Sequence, residues 1–176
     1  WGMIAIFKGN QVTITTRFDA EQTLRIIQEE KVDTVYFVPT MMQRIWNLPK
    51  VTKTSYDVSS LLTLWHLAAP CPQWLKEEFI KWLGASVILE LYGGTEGIGG
   101  TKITGEEWLA HKGSVGKPNE TCEIIILDEN GEEVPSGEIG EIYIRPKTGQ
   151  GSTYRYIGAK AKSIEGGFES LGDLGY

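Results

Sequence analysis

Between Gln11 and Tyr92 the sequence alternates between short β-branched or apolar runs and longer amphipathic stretches bounded by helix signals. "QVTITT" (Gln11 to Thr16) alternates like a strand. Asp19, with Gln22 three residues on as its reciprocal partner, predicts the cap of a helix running to about Lys31, with Leu24, Ile27 and Ile26 on its apolar face. "TVYFV" (Thr34 to Val38) is a continuous apolar run, as in a strand covered on both faces. Pro39 and Thr40 open a second helix, with Met41, Ile45 and Leu48 at helical spacing and Pro49 as its stop. "LLTLWHLAA" (Leu61 to Ala69) is a further strand, followed by the helix "PQWLKEEFIKWLG" that Gly84 ends. "SVILELY" (Ser86 to Tyr92) is the next strand. Strands separated by helices at this spacing predict βαβ units, an α/β fold with a parallel sheet flanked by helices. Ligands of such sheets bind beyond the carboxyl ends of the strands. The loops after Val38, Ala69 and Tyr92 therefore open onto one edge.

The pattern changes in the second half. A short helix over Glu106 to Ala110, capped by Thr104 and Glu107, leads into a smaller β-rich module. "CEIIILDENGEEV" carries an Asn130-Gly131 hairpin signal, and "GEIGEIYIRP" adds another strand. The division expected is an α/β part over residues 1–112 and a β-rich part over residues 113–176.

A net charge of −6 without a basic stripe argues against nucleic-acid binding. No apolar run reaches the length of a membrane span. Cys71 and Cys122 are far apart and lack a CxxC spacing, which fits two unpaired thiols in a reducing, cytoplasmic compartment. Together with His66 and His111 they show no metal-ligand spacing. Trp65, Trp74 and Trp82 read as core residues, Met41 and Met42 as interface fillers, and His66 as a hydrogen-bonded core histidine. The chain begins at Trp1 and stops at Tyr176 without terminal signals, and reads as an internal piece of a larger protein. A homodimer is left open.

Directly after the Ser86–Tyr92 strand comes "LYGGTEGIGG", five glycines around one Thr-Glu pair. Either the backbone turns sharply there or something bulky lies against it. The segment is not GxGxxG, and Gly116-Lys117 is followed by Pro118, so it is not a P-loop. Thr95 offers a hydroxyl to a phosphate, Glu96 a hard oxygen ligand for magnesium, and Tyr92 a flat ring for a nucleobase.

"YGGTEG" (Tyr92 to Gly97) and "GDLGY" (Gly172 to Tyr176) together resemble two core motifs of the adenylate-forming acyl-CoA synthetase family. Between them, "GSVGKP" (Gly113 to Pro118) and "SGEIGEIYIRP" (Ser136 to Pro146) resemble its linking segments. Upstream, "VPTMMQRI" resembles the start of the acyl-pocket helix and "LAAPCP" the adenine-binding loop. "FDAEQTLRII" and "EWLAHKGSVGKP" are most similar to the fatty-acid and bile-acid CoA ligase branch.

The resemblance implies part of the large N-terminal domain of an enzyme that activates a carboxylic acid with ATP to an acyl-AMP, then transfers the acyl group to coenzyme A. It implies that Thr95 contacts the α-phosphate, that Glu96 binds Mg2+, and that Tyr92 stacks on or edges the adenine. Ala68, Ala69 and Pro70 become the opposite wall of the base. Asp173 accepts from both ribose hydroxyls, and Thr40, Met41, Gly93 and Gly94 border the tail of the acid. On this reading the glycines make room for the acyl-adenylate. The chain departs from the family at Leu171, where a threonine is usual, and it contains no phosphate loop or C-terminal catalytic lysine. The chain by itself is therefore expected to make no thioester. Two alternatives remain: an adenylating enzyme that loads a carrier protein, and a non-catalytic adenine-nucleotide module. The apolar residues around Val38 to Met42 favour an uncharged substrate tail over an amino acid.

Overall fold

The computed structural model describes residues 2–176. A short helix α1 (Gly2–Phe7) precedes α2 (Ala20–Glu29), which starts where Asp19 accepts a hydrogen bond from the Gln22 backbone N–H. The cap is one-sided, because Gln22 returns none. Leu24 and Ile27 are buried, with Ile26 half-buried beside them. The expected strand over Gln11 to Thr16 does not form. That segment is irregular, and Ile14 is 78% exposed. Alternation makes a strand only where a neighbouring edge accepts its hydrogen bonds, and none of the described strands pairs with it.

Strand β1 (Thr34–Phe37) leads into α3 (Pro39–Trp46), and α4 (Lys50–Ser55) follows beyond Pro49, where no helix was expected. Strand β2 (Thr63–His66) is shorter than its apolar run, because Ala68 turns into the left-handed region at φ 70°. Helix α5 (Gln73–Leu83) begins after Pro72 and ends at Gly84, φ 98°. A 3₁₀ turn over Ala85–Val87 takes the start of the next apolar run, leaving β3 as Ile88–Gly93. The chain then reverses into β4 (Gly100–Thr104), which sequence patterning missed, and into α6 (Gly105–Ala110). Helix α6 carries the expected capping box between Thr104 and Glu107.

The first sheet ends with β5 (Lys117–Pro118) and runs β1-β2-β3-β4-β5. The first three strands are parallel and the last two pairings antiparallel. Phe37, Leu64, Ile88 and Ile103 pack with Leu24 and Ile27 of α2, Met42 and Ile45 of α3, and Leu75 and Phe79 of α5 in one core. Helices α2, α3 and α5 thus gather on one face of the sheet. That corrects the reading of Thr34 to Val38 as doubly covered: Phe37 is buried, whereas Thr34 and Tyr36 on the other face are exposed. Met42, not Met41, is the fully buried methionine of α3. Trp82 packs against this core, whereas Trp74 is 47% exposed.

The second sheet is antiparallel and contains β6 (Cys122–Leu127), β7 (Gly140–Pro146), β8 (Lys162–Ser163) and β9 (Glu169–Gly175), in the order β6-β7-β9-β8. The turn after β6 is held by Asp128, which accepts from the backbone N–H groups of Asn130 and Glu132, with Gly131 at φ 82°. Ile98, Cys122 and Ile144 form a second small core where the β3–β4 turn meets this sheet. Both cysteines are free, and among the described residues no helix is long and apolar enough to cross a membrane.

Candidate adenylate-binding edge

Register places the candidate residues at one edge. Phe37 lies opposite His66, and His66 opposite Glu90, in parallel strands. The chain therefore leaves β1, β2 and β3 side by side, entering α3, the Leu67–Cys71 loop and the glycine turn. Thr40 is exposed at the start of α3, while Met41 leans onto the core. Two strand spacings, roughly 10 Å, separate the end of β1 from that of β3. Ala68, Ala69 and Pro70 are exposed on the middle loop.

The glycines answer first to the protein itself. Gly93 and Gly100 face each other across the β3–β4 hairpin. A Cβ on Gly93 would stand 2.8 Å from the Gly99 carbonyl oxygen, and one on Gly100 would strike the Tyr92 carbonyl. Gly99, at φ 131°, lies against the Cys122 side chain, so the hairpin can seat on the second sheet only without a side chain there. Gly97 has φ 67°, and its N–H donates to the Gly94 carbonyl at 3.2 Å. At Gly94 a Cβ would come within 2.5 Å of Glu96 Oε2 and 2.6 Å of Leu171 Cδ1. Tight turning and close packing thus already constrain these glycines within the protein itself.

Two polar pairs remain at the surface of this edge. Tyr92 donates its hydroxyl to Asp173 Oδ2 at 2.9 Å, bridging the end of β3 and the end of β9. Burial, then this bond to a carboxylate, raises the Tyr92 phenol above its ordinary pKa, so it stays a donor. Glu96 accepts from the Tyr156 hydroxyl at Oε1, 2.8 Å, while its Oε2 is 3.5 Å from Thr95 Oγ1. The Tyr156 bond is the main reason that the Glu96 carboxyl is held below the usual carboxylate range. Among the described residues neither Glu96 nor Asp173 is in an ion pair.

Beneath this edge lies a buried charge pair. Lys76 of α5, 1% exposed, donates to Glu90 Oε2 and sits 4.6 Å from the ring centroid of Trp108. His66 Nδ1 is 3.9 Å from the other Glu90 oxygen, beyond hydrogen-bond reach. Both His66 nitrogens are buried without a partner, which corrects the expectation of a hydrogen-bonded histidine. Burial, and then the Lys76 charge, lower its pKa to about 3, so the imidazole is neutral. Burial raises the Cys71 thiol to about 11, so it is not a poised nucleophile.

No group of three or more His, Cys, Asp or Glu side chains is gathered for a metal among the described residues. The glycine turn supplies one carboxylate, bonded at Oε1 by Tyr156, whose Oε2 accepts only a long 3.5 Å contact from the Thr95 hydroxyl beside it. That donor set fits Mg2+, which keeps waters and substrate phosphate oxygens in its shell and takes one or two carboxylates from a protein.

Residues 1–154 match the family described as AMP-binding enzyme. The chain belongs to that family. Among AMP-binding relatives, a medium/long-chain-fatty-acid–CoA/3-oxocholest-4-en-26-oate–CoA ligase of Mycobacterium marinum is 34% identical over 137 residues, covering 76% of this chain and 24% of the relative. A feruloyl-CoA synthase of an Amycolatopsis species is 30% identical over 98% of this chain and 35% of its own length. The o-succinylbenzoate CoA synthetase of Bacillus subtilis, solved with its acyl-adenylate intermediate, superposes with a TM-score of 0.80 at 26% identity, over 99% of this chain and 34% of that one. The same enzyme has been solved with ATP and a magnesium ion (TM-score 0.79, 26% identity, 99% of this chain and 35% of that one). The chain spans between 24% and 35% of the length of these proteins.

Three polar groups of this chain escaped the sequence reading. Lys76 hid in an amphipathic helix, although Glu90 inside the apolar run "ILELY" was a sign that a buried cation had to meet it. Tyr154 and Tyr156 lie in an irregular segment, and their alternate spacing in "YRY" was the available signal.

Proposed function

We propose that the chain carries the adenylate-holding edge of an AMP-forming acid–thiol ligase. In the full-length protein a carboxylate oxygen attacks the α-phosphorus of ATP and pyrophosphate leaves. The thiol of coenzyme A then attacks the acyl carbonyl of the acyl-AMP, and AMP leaves with the bonding pair. Neither step needs a protein nucleophile, so the chain's own groups act by positioning and by charge.

The observation that carries this reading is the Tyr92–Asp173 hydrogen bond, which sets an aromatic ring beside an exposed carboxylate. The ring takes the adenine, with Ala68, Ala69 and Pro70 opposite. The carboxylate accepts from the two ribose hydroxyls, as a planar two-oxygen acceptor does well. Thr95 donates to the α-phosphate. Glu96 holds Mg2+, which when bound neutralises phosphate charge. Thr40, Met41, Gly93 and Gly94 border the tail of the acid. Residues 1–112 carry the acyl and adenine walls, and residues 113–176 carry the ribose carboxylate. The acid has an uncharged tail, in keeping with the apolar start of α3 and with relatives named for fatty, steroid and cinnamic-type acids.

Carboxylate-dependent ATP–pyrophosphate exchange tests this. The full-length protein is assayed against short, medium, long-chain, steroid and aromatic acids. Exchange with one class establishes adenylation and names that class. A folded protein that binds ATP without exchange under any acid would leave a non-catalytic nucleotide module.

A further inference from the structure

We infer that Tyr156 is a positioning residue for Glu96, and that Tyr154 and Glu169 fix Tyr156 in turn. The inference rests on the proposed adenylating role of this edge.

Residues 148–161 form an exposed connection, with Ile157 fully exposed and Tyr156 38% exposed. A tyrosine so open adds little by burial, so its fixed points are its hydroxyl and one ring face. The hydroxyl donates to Glu96 Oε1 at 2.8 Å. The ring meets Tyr154 edge-on, with centroids 4.8 Å apart and planes at 69°, a favourable aromatic geometry. Tyr154 is anchored twice. It packs against the Ile98–Cys122–Ile144 core, and its hydroxyl donates to Glu169 Oε2 at 2.5 Å. Glu169 is 1% exposed on β9. A continuous path therefore runs from the interior of the second sheet, through two tyrosines, to the carboxylate of the glycine turn.

The consequence is orientational. A free glutamate at a turn samples several rotamers and presents either oxygen. With Oε1 tied to Tyr156, Oε2 is the oxygen left on the Thr95 side, 3.5 Å from that hydroxyl. Gly94 makes the arrangement sterically open, since a Cβ there would press on this same oxygen. Thr95 and Glu96 then present a hydroxyl and a carboxylate oxygen together, as a metal-bound phosphate requires. Groups that orient a metal-binding carboxylate commonly change metal affinity by about 10- to 100-fold when removed.

The test compares the full-length protein with Tyr156→Phe and Tyr154→Phe. Binding of AMP without metal and of ATP across a magnesium titration is followed by calorimetry, and pyrophosphate exchange is measured in parallel. Tyr156→Phe is expected to require about tenfold more magnesium for half-maximal ATP binding, with AMP affinity unchanged. Tyr154→Phe is expected to shift the same midpoint by a smaller factor. An unaltered magnesium midpoint in Tyr156→Phe, with exchange intact in the parent, overturns the inference and leaves the adenylating function standing. Equal losses of AMP and ATP affinity also overturn it, since they mark a general structural effect. Absence of exchange and of magnesium-dependent ATP binding in the parent overturns the functional reading and this inference with it.

Discussion

Tyr92 and Asp173, 81 residues apart in sequence, share a 2.9 Å hydrogen bond across the junction of the two sheets. The end of β3 and the end of β9 are thereby held in one geometry, so a planar ring and a carboxylate stand side by side before any ligand arrives. Under the proposed function, such preorganisation would spare a nucleotide the cost of ordering its own site.

Asp173→Ala in the full-length protein is expected to weaken ATP and AMP binding by at least about tenfold, the usual consequence of losing hydrogen bonds to a charged group. Tyr92→Phe keeps the ring and loses only the bond to Asp173, so its effect is expected to be smaller. Calorimetric titration with AMP checks both. Equal affinity in Asp173→Ala and the parent would remove the ribose assignment.

Lys76→Met leaves Glu90 charged and buried without its ammonium partner. Breaking a buried pair from one side costs about 3–5 kcal/mol, because the remaining charge is stranded. Adding Glu90→Leu to Lys76→Met removes the stranded charge and is expected to recover most of that loss. Urea unfolding of the single and double variants measures the difference. A single variant within about 0.5 kcal/mol of the parent, as for an ordinary surface change, would show that the pair is not buried in solution.

Much of this architecture was legible because it is written locally. The Asp19 cap, the Thr104–Glu107 box and the Gly84 stop depend on neighbours within four residues, and each stands where the sequence placed it. Gln11 to Thr16 failed because strand formation depends on a distant edge, about which alternation is silent. Strand β4 was missed because its identity comes from pairing with β3 through Gly93 and Gly100, and glycines read as punctuation. At the candidate site, the motif residues were named by resemblance, whereas Tyr154 and Tyr156 reach Glu169 and Glu96 only through a fold that no local pattern encodes.

His66 should make the protein acid-sensitive. Its imidazole stays neutral in the folded protein down to about pH 3, whereas the unfolded chain takes up a proton near pH 6.5. Between those values the unfolded state binds one more proton, so stability falls as pH falls, by about 1.4 kcal/mol per pH unit. From pH 7 to pH 5 this group alone removes about 2 kcal/mol. His66→Phe deletes the titration along with the two unpartnered nitrogens. Its stability at pH 7 should match or exceed that of the parent, and its decline toward pH 5 should be shallower. Parallel urea-unfolding curves for the two proteins at both pH values would contradict this account.

Gly99 and Gly131 separate backbone strain from packing. Both have positive φ, 131° and 82°, so alanine at either is strained by about 1–2 kcal/mol. At Gly131 nothing lies within 4 Å of an added Cβ, and the strain is the whole effect. At Gly99 the new Cβ would meet the Cys122 side chain and then Ile144 Cγ2 at 3.2 Å, so the glycine turn must lift from the second sheet or the core beneath it must shift. Overpacking of that kind adds about 1–3 kcal/mol. Gly99→Ala should therefore be the more destabilising by about that margin, and it should also weaken AMP binding, because the turn carries Thr95 and Glu96 while Cys122 belongs to the sheet that carries Asp173. Gly131→Ala, out on its hairpin, should leave AMP affinity unchanged. Thermal unfolding and AMP titration of the two variants decide the matter, and similar losses at both sites would mean that the turn and the sheet are not packed together.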